Sequence, residues 1–430
     1  MTAEIAVMNK ACVALAADSA VTVSMSGERK VYNSANKLFM LSKHHPIGIM
    51  IYGNAQLMNM PWETIIKIYR EKLGEKDFDY AFGYVEDFLA FLGNDFFTKE
   101  DQDSYMEHLI YGEFQRLVDE IDNELTSRVE NDERFSKDDK DAVKAITEEV
   151  LNEHFGEWEN YPYLADFTGK YVEDFIKKHR AVINKIMQEV LEQLPLDPRM
   201  AKKILRMSAY LFSRDRFTEN VAGVVVAGFG SKEMFPCLYD IGIECVVDNR
   251  LKYKILRDPK VSDKMPISIS AFAQSEMVST FIEGTDPALS AFSLDYLGTV
   301  FEELPEIICN RVKFATDKDK EGFEKEMTEL VNGIIQDYKE ALDTYKHVRH
   351  VSPILEMAMW LPKDEIAVMA ETLVNLTSFK RRITKETETV GGPIDVAVIS
   401  KGDGFVWIKR KHYFDPELNH HFFSNYFKGV

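Results

Sequence analysis

The sequence predicts a mixed α+β protein in which a sheet-based core is interrupted by blocks of helices. Short apolar runs typical of strands occur near the start, in the middle and near the end of the 430-residue chain. Longer segments between these runs repeat apolar residues at the helical period. Strands near both ends, with no low-complexity linker or internal repeat between them, favour one core split by insertions over a string of separate domains.

The first predicted strands lie within residues 4–53. The stretch 11–17 is continuously apolar, and two further apolar runs, 38–41 and 47–52, are separated by a turn-like segment. After Gly53 the apolar period becomes helical up to about residue 74. We therefore assign residues 2–75 to the core.

Residues 76–216 form a predicted helical insertion with a strong acidic bias. Between residues 99 and 160 there are about 20 Asp or Glu residues against about 7 Lys or Arg residues. Such a block is typical of solvated surface, and the open alternative is a docking face for a basic partner.

The core resumes over residues 218–285, where apolar runs predict further strands, and again over 362–412. The latter range contains an amphipathic helix and a hairpin with an Asp403-Gly404 turn. A second helical insertion is predicted over 286–360, and an aromatic-rich tail covers 413–430.

Composition excludes several classes of function. A formal net charge of -19 argues against nucleic acid as a partner, because phosphate binding requires clustered Lys and Arg. No apolar run is long enough to span a membrane, and no secretory signal is recognisable, so we expect a cytoplasmic protein. Four scattered cysteines, with no CxxC pair, predict buried thiols.

No cofactor or metal is predicted. The paired histidines at 44–45 and 420–421 cannot easily converge on one ion, and no HExxH motif is present. The segment GFGSK at 228–232 lacks the spacing of a phosphate-binding loop, which favours a β-turn.

The start of the chain offers a different chemistry. If Met1 is removed, Thr2 becomes the first residue, and its free α-amino group is a base close to its own hydroxyl. A neighbouring lysine would lower the pKa of that amine, a carboxylate would hold the lysine, and a glycine N–H could stabilise an oxyanion. The sequence supplies Thr2, Asp18, Lys37 and Gly53 in strand contexts. Each of these residues could instead have a purely structural role, and Lys30 or Lys43 could be the lysine of this site in place of Lys37.

These four residues, with the string LAADS around Asp18, resemble the proteasome β-subunit family and the related peptidase subunit of the bacterial two-component ATP-dependent protease. Both are N-terminal-nucleophile (Ntn) hydrolases. The segments VVVAGFG, MFPCLYDIGIE and GGPIDVAVISKGDGF resemble later strands of the same family. The resemblance covers roughly residues 2–75, 218–285 and 362–410, and it implies a four-layer αββα sandwich carrying the two helical insertions.

The sequence departs from the family pattern near the implied site. The family places an Asp and a Ser before the glycine that corresponds to Gly391, whereas Thr387 and Val390 stand here, with Glu386 and Glu388 nearby. Gln274-Ser275 replaces a Gly-Ser-Gly turn, and residue 3 is Ala where Thr is common.

The resemblance implies a threonine-type hydrolase of amide bonds in peptides or unfolded protein, with Thr2 as nucleophile and Asp18, Lys37 and Gly53 as supporting catalytic residues. It also implies a homo-oligomer. Two alternatives stay open: an idle proteasome-like scaffold whose acidic insertion binds a partner, and an Ntn amidase acting on a small-molecule amide.

Overall fold

The structure is a computed structural model that describes residues 3–25, 28–94, 96–131, 140–384 and 390–426. The first eight strands are β1 (Ala3–Asn9), β2 (Cys12–Ala17), β3 (Val21–Met25), β4 (Glu28–Tyr32), β5 (Leu38–Met40), β6 (Ile47–Gly53), β7 (Gln56–Leu57) and β8 (Met60–Pro61). The next six helices are α1 (Trp62–Leu73), α2 (Ala81–Gly93), α3 (Lys99–Asn131), α4 (Lys140–Asn160), α5 (Gly169–Val190) and α6 (Pro198–Ser213).

Strands return in the middle of the chain as β9 (Ala222–Gly228), β10 (Cys237–Val247), β11 (Arg250–Arg257) and β12 (Ile267–Ala273). They are followed by the helices α7 (Glu276–Glu283), α8 (Pro287–Cys309), α9 (Asp317–Lys346), α10 (Ser352–Ala358) and α11 (Lys363–Ile383), with a π-helical turn (His347–Val351) between α9 and α10. The last elements are β13 (Asp395–Ser400), β14 (Gly404–Lys409), a short 3-10 turn (Pro416–Leu418) and α12 (His420–Tyr426). The protein is thus a mixed α+β structure with several antiparallel sheets, as the sequence predicts.

The chain divides into two compact units. The first comprises Met1–Tyr52, Ala227–Cys237 and Pro259–Val430, and the second comprises Gly53–Val226 and Leu238–Asp258. The domain bounds expected from the sequence stay a prediction. Among the described residues, no helix combines the length and the apolarity that a membrane crossing requires.

The first unit contains a five-stranded sheet in the order β12-β1-β2-β13-β14, with every neighbouring pair antiparallel. Every residue of β1, β2 and β13 is buried, so both faces of these three central strands are covered. One face packs against α11, whose Ile366, Ala370 and Leu373 belong to a core cluster shared with the strands. A strand that is covered on both faces needs apolar residues at every position rather than at alternate ones, which explains the continuous apolar run of β2.

The opposite face of that sheet contacts the hairpin of β5 and β6. Strand β5 packs against β2 and β13. Gly48 of β6 lies so close to Ile399 and Phe405 that a Cβ at this position would approach them to 2.7 and 2.9 Å. Within the first unit, a helix, a sheet and part of a second sheet therefore lie in successive layers.

The second unit combines strands with a helical group. Strands β9, β10 and β11 lie side by side, and β10 and β11 pair antiparallel around a turn at Asp248 and Asn249, both with positive φ. Helix α2 packs on β11, while α3, α4, α5 and α6 pack on one another. This helical group buries many aromatic side chains, among them Phe114, Trp158 and Phe175.

A polar network is buried between α3 and α4. His154 Nε2 lies 2.9 Å from Glu113 Oε1, its Nδ1 lies 2.8 Å from Glu120 Oε2, and Trp158 Nε1 donates to Glu113 Oε1 at 2.8 Å. Burial by itself would lower the pKa of His154, but the hydrogen bonds and charges of the two glutamates outweigh it and raise that pKa. Burial would likewise raise the pKa of Glu113, yet His154 and Arg116 lower it. The acidic helical segment is therefore partly organised by an internal charge cluster.

Candidate active site

Asp18 lies directly after β2 and is almost completely buried, with 1% of its surface exposed. The antiparallel register pairs Glu4 of β1 with Ala17, and the Asp18 N–H continues this ladder by donating to the Ala3 carbonyl at 3.1 Å. The ladder thus holds the carboxylate beside the first described residue of the chain.

Four donors from the described residues converge on the Asp18 carboxylate. Oδ1 accepts hydrogen bonds from the Ala3 N–H at 3.1 Å and from Lys37 Nζ at 2.6 Å. Oδ2 accepts from the Ala20 N–H at 3.2 Å and from the Gly391 N–H at 3.0 Å. A buried carboxylate is strongly destabilising unless it is paired and hydrogen-bonded, and this arrangement supplies both kinds of partner.

Lys37 lies just before β5 and is also buried, with 6% of its surface exposed. Its carbonyl accepts from the Ile51 N–H at 2.9 Å, which fixes the lysine backbone beside β6. Of the three lysines that the sequence leaves open, Lys37 is the one that forms an ion pair with Asp18. Lys30 is exposed and lies in β4, opposite β3 in a hairpin.

In the described part of the segment before β13, Gly391 contributes its backbone to the site. The Gly391 carbonyl accepts from the Ser19 N–H at 3.1 Å, and the Gly391 N–H donates to Asp18. Gly392 has φ 78°, and a Cβ there would lie 2.8 Å from Asn33 Cβ and 3.2 Å from Ser19 Cβ. Val390 is fully buried in the core cluster. This close backbone approach requires glycine at position 392.

Thr2 and Thr387, together with Glu386 and Glu388, lie outside the described residues. The chain is described from Ala3, which pairs with Ala273 at the end of β12. The predicted role of Thr2 therefore stays a prediction.

Gln274 follows that paired position and is buried, with 7% of its surface exposed. Its Oε1 accepts from Arg381 Nε of α11 at 3.1 Å. Ala273 before it has φ 64°, a left-handed conformation that is uncommon for a residue other than glycine. The Gln274 side chain is thus a buried amide bonded to a guanidinium.

Gly53 belongs to the second unit, at the end of β6. Its φ is 76°, and a Cβ there would lie 3.0 Å from the Val221 carbonyl oxygen. The next residue, Asn54, donates from its side chain to the Asn220 carbonyl at 3.1 Å. A positive φ and a close backbone neighbour both favour glycine at this position.

Other reactive groups are less suited to nucleophilic chemistry. The four cysteines are free and buried. Burial raises the pKa of the Cys12 thiol to about 11, and burial together with Glu233 raises that of Cys237 to about 12, so both thiols stay protonated at neutral pH. Within the described parts of the chain, no group of three or more His, Cys, Asp or Glu side chains is placed to hold a metal ion.

Comparison with known proteins adds no family: a scan against protein-family models and a search of curated proteins both return no match.

Proposed function

We propose that this protein is a threonine-type Ntn hydrolase that cleaves amide bonds, with Thr2 as its nucleophile after removal of Met1. The observation that supports this most directly is the shared acceptor Asp18 Oδ1. It binds the Lys37 ammonium and the Ala3 N–H together, and the Ala3 nitrogen is the amide nitrogen that joins Ala3 to residue 2. A cation is thereby held close to the peptide bond that carries the proposed nucleophile.

In the proposed reaction, the α-amino group of Thr2 takes the proton of its own Oγ, which attacks the substrate carbonyl. The reference pKa of an α-amino group is about 7.7 to 8.0, and a nearby ammonium lowers it, so that more of the amine is free base at neutral pH. The amide nitrogen leaves with a proton, and water activated by the same amine then hydrolyses the acyl-enzyme.

Each supporting residue has a defined part in this scheme. Lys37 stabilises negative charge that develops near Oγ, and Asp18 positions Lys37. Gly53 is the proposed oxyanion donor, an assignment that rests on the resemblance together with its left-handed backbone. The layers of the first unit, with α11, the five-stranded sheet and the β5-β6 hairpin in succession, support the finer proposal of an αββα sandwich.

Intact mass spectrometry with a β-lactone or peptide vinyl sulfone tests the proposal. We expect the mature chain to lack Met1 and to gain the probe mass at Thr2, and we expect Thr2→Ala to gain none. Thr22→Ala is the matched control, because it removes a threonine hydroxyl elsewhere and should leave labelling unchanged.

Two other results would favour a different function. A chain that retains Met1 and remains unlabelled would overturn the hydrolase and favour a scaffold without peptidase activity. Labelling at Thr2 without cleavage of unfolded protein or extended peptides would favour a small-molecule amide as substrate. Sedimentation velocity of the same sample would test the proposed homo-oligomer.

A further inference from the structure

A groove of about 660 Å³ lies between α5 and α6 in the second unit. Its volume falls within the range of about 300 to 1,000 Å³ that is typical of small-molecule sites. The residues of α5 that line it, from Gly169 to Asn184, recur at helical spacing and so form one face of that helix. We call this feature the α5-α6 groove.

The α5-α6 groove reverses the charge balance of the chain. Three cationic side chains line it, Arg180, Lys202 and Arg206, against the single carboxylate of Glu173. The whole chain, by contrast, has 71 Asp and Glu residues and 52 Lys and Arg residues. Cations gathered on an acidic protein create a local potential that attracts anions.

Two of these cations are available to a ligand. Arg180 and Lys202 are exposed, and neither forms a hydrogen bond or an ion pair with the residues that the structure describes. Arg206 is partly engaged, because its Nε and Nη2 donate to Tyr210 Oη at 3.2 and 2.8 Å and its Nη2 lies 4.0 Å from Glu159 Oε1. Unpaired Arg and Lys donors are suited to a carboxylate or a phosphate.

The floor of the groove is apolar. Val172 and Leu205 are buried there, and Ile176 and Ala201 are half-buried beside them. An apolar floor bordered by cations fits a ligand with two chemically distinct parts. Burying the apolar part supplies affinity, and the charged part determines its orientation.

We propose that the α5-α6 groove binds an amphipathic anion, a molecule with an apolar body and a carboxylate or phosphate head group. Every lining residue belongs to the second unit, whereas Thr2, Asp18 and Lys37 belong to the first. The proposal is therefore independent of the hydrolase activity, and Thr2→Ala should bind such a ligand as the unmodified chain does.

Isothermal titration calorimetry of the full chain tests this, with dodecanoate and dodecyl phosphate below their micelle-forming concentrations. We expect saturable binding of at least one of them, and the tighter one identifies the preferred head group. Dodecyltrimethylammonium tests the requirement for negative charge, and acetate and inorganic phosphate test the requirement for an apolar body. Equal binding of the cationic amphiphile, or no binding of either anionic one, would overturn the proposal.

Substitutions locate the site. Lys202→Glu should weaken binding about tenfold or more, the loss expected for a hydrogen bond to a charged group. Ile176→Trp should weaken it by filling the groove. Lys177→Glu is the matched control, because Lys177 is exposed on α5 and does not line the groove, so the affinity should stay within about twofold, as for a surface charge.

Arg180→Glu gives the same charge test from the other helix if Lys202→Glu lowers the melting temperature measured by circular dichroism. Two results would refute the α5-α6 groove as the binding site. One is an unchanged affinity both in a folded charge variant and in Ile176→Trp, and the other is a loss of affinity in Lys177→Glu as large as that in the charge variant.

Discussion

Replacing Asp18 by Asn should strongly destabilise the first unit. The substitution preserves shape but leaves the Lys37 ammonium, whose side chain is 7% exposed, without a charged partner. The new amide NH₂ would also face backbone N–H donors that now point at a carboxylate oxygen. Removing one partner of a buried ion pair costs roughly 3–5 kcal/mol, so we expect a loss of about 4 kcal/mol in the free energy of unfolding.

Lys37→Met provides the informative comparison. It removes the ammonium but leaves Asp18 with three backbone N–H donors, from Ala3, Ala20 and Gly391. The carboxylate therefore keeps most of its partners, and the expected loss is about 1–3 kcal/mol. Because the two residues are in direct contact, the double variant should lose less than the sum of the single losses.

Urea unfolding followed by circular dichroism measures these differences. Asp263→Asn is the control, because Asp263 pairs with Lys10 at an exposed position and should change stability by less than about 1 kcal/mol. A loss below about 1 kcal/mol for Asp18→Asn, or a larger loss for Lys37→Met than for Asp18→Asn, would refute the buried network described above.

Three further predictions concern the rest of the chain. Gly392→Ala should cost at least about 1–2 kcal/mol, because φ there is 78°, whereas Gly402→Ala, with open space around it, should be nearly neutral in the same urea assay. The raised pKa of His154 contributes stability that is fully present below about pH 6.5 and is lost as the pH rises through the folded-state pKa. Urea unfolding at a series of pH values should show this loss in the unmodified protein, and His154→Gln should not show it. Lys252→Met breaks the fully buried ion pair between Lys252 and Glu244, and it should lower the free energy of unfolding by about 3–5 kcal/mol. Lys254→Met, on the same strand, breaks the partly exposed pair of Lys254 with Asp215 and should cost less than about 1 kcal/mol. Similar losses of stability in Lys252→Met and Lys254→Met would contradict this prediction.

The sequence alone indicates the residue types that meet in the ion pair, but it leaves the choice of lysine open. Lys30, Lys37 and Lys43 all lie near the same predicted strands, and residue spacing does not distinguish them. The fold makes the distinction, since the hydrogen bond between the Lys37 carbonyl and the Ile51 N–H fixes one lysine beside β6.

The predicted strands do not include β3, β4 or β11, although a strand signal is present in β11. In β11, Leu251, Tyr253 and Ile255 alternate with charged residues, the period expected of a strand with one polar face. Asp248 and Asn249 before it adopt positive φ, as residues of tight hairpin turns do. Continuous apolar runs reveal strands that are buried on both faces, and they miss a half-exposed strand such as β11.

The backbone donors around Asp18 explain why much of the candidate site cannot be inferred from residue types. Of the four hydrogen bonds that it accepts from described residues, three come from main-chain N–H groups in separate segments, at the start of β1, after β2 and before β13. A main-chain donor carries no side-chain signature, so only the register of the sheet places it. That register pairs Ala17 with Glu4 on one side and with Asp395 on the other. A slip of one residue in either pairing would turn every side chain of the slipped strand to the other face. The sheet's apolar core and the Asp18 network are therefore fixed by the same register, and a substitution that disturbs the packing of α11 on β1 and β2 should loosen the carboxylate without touching it.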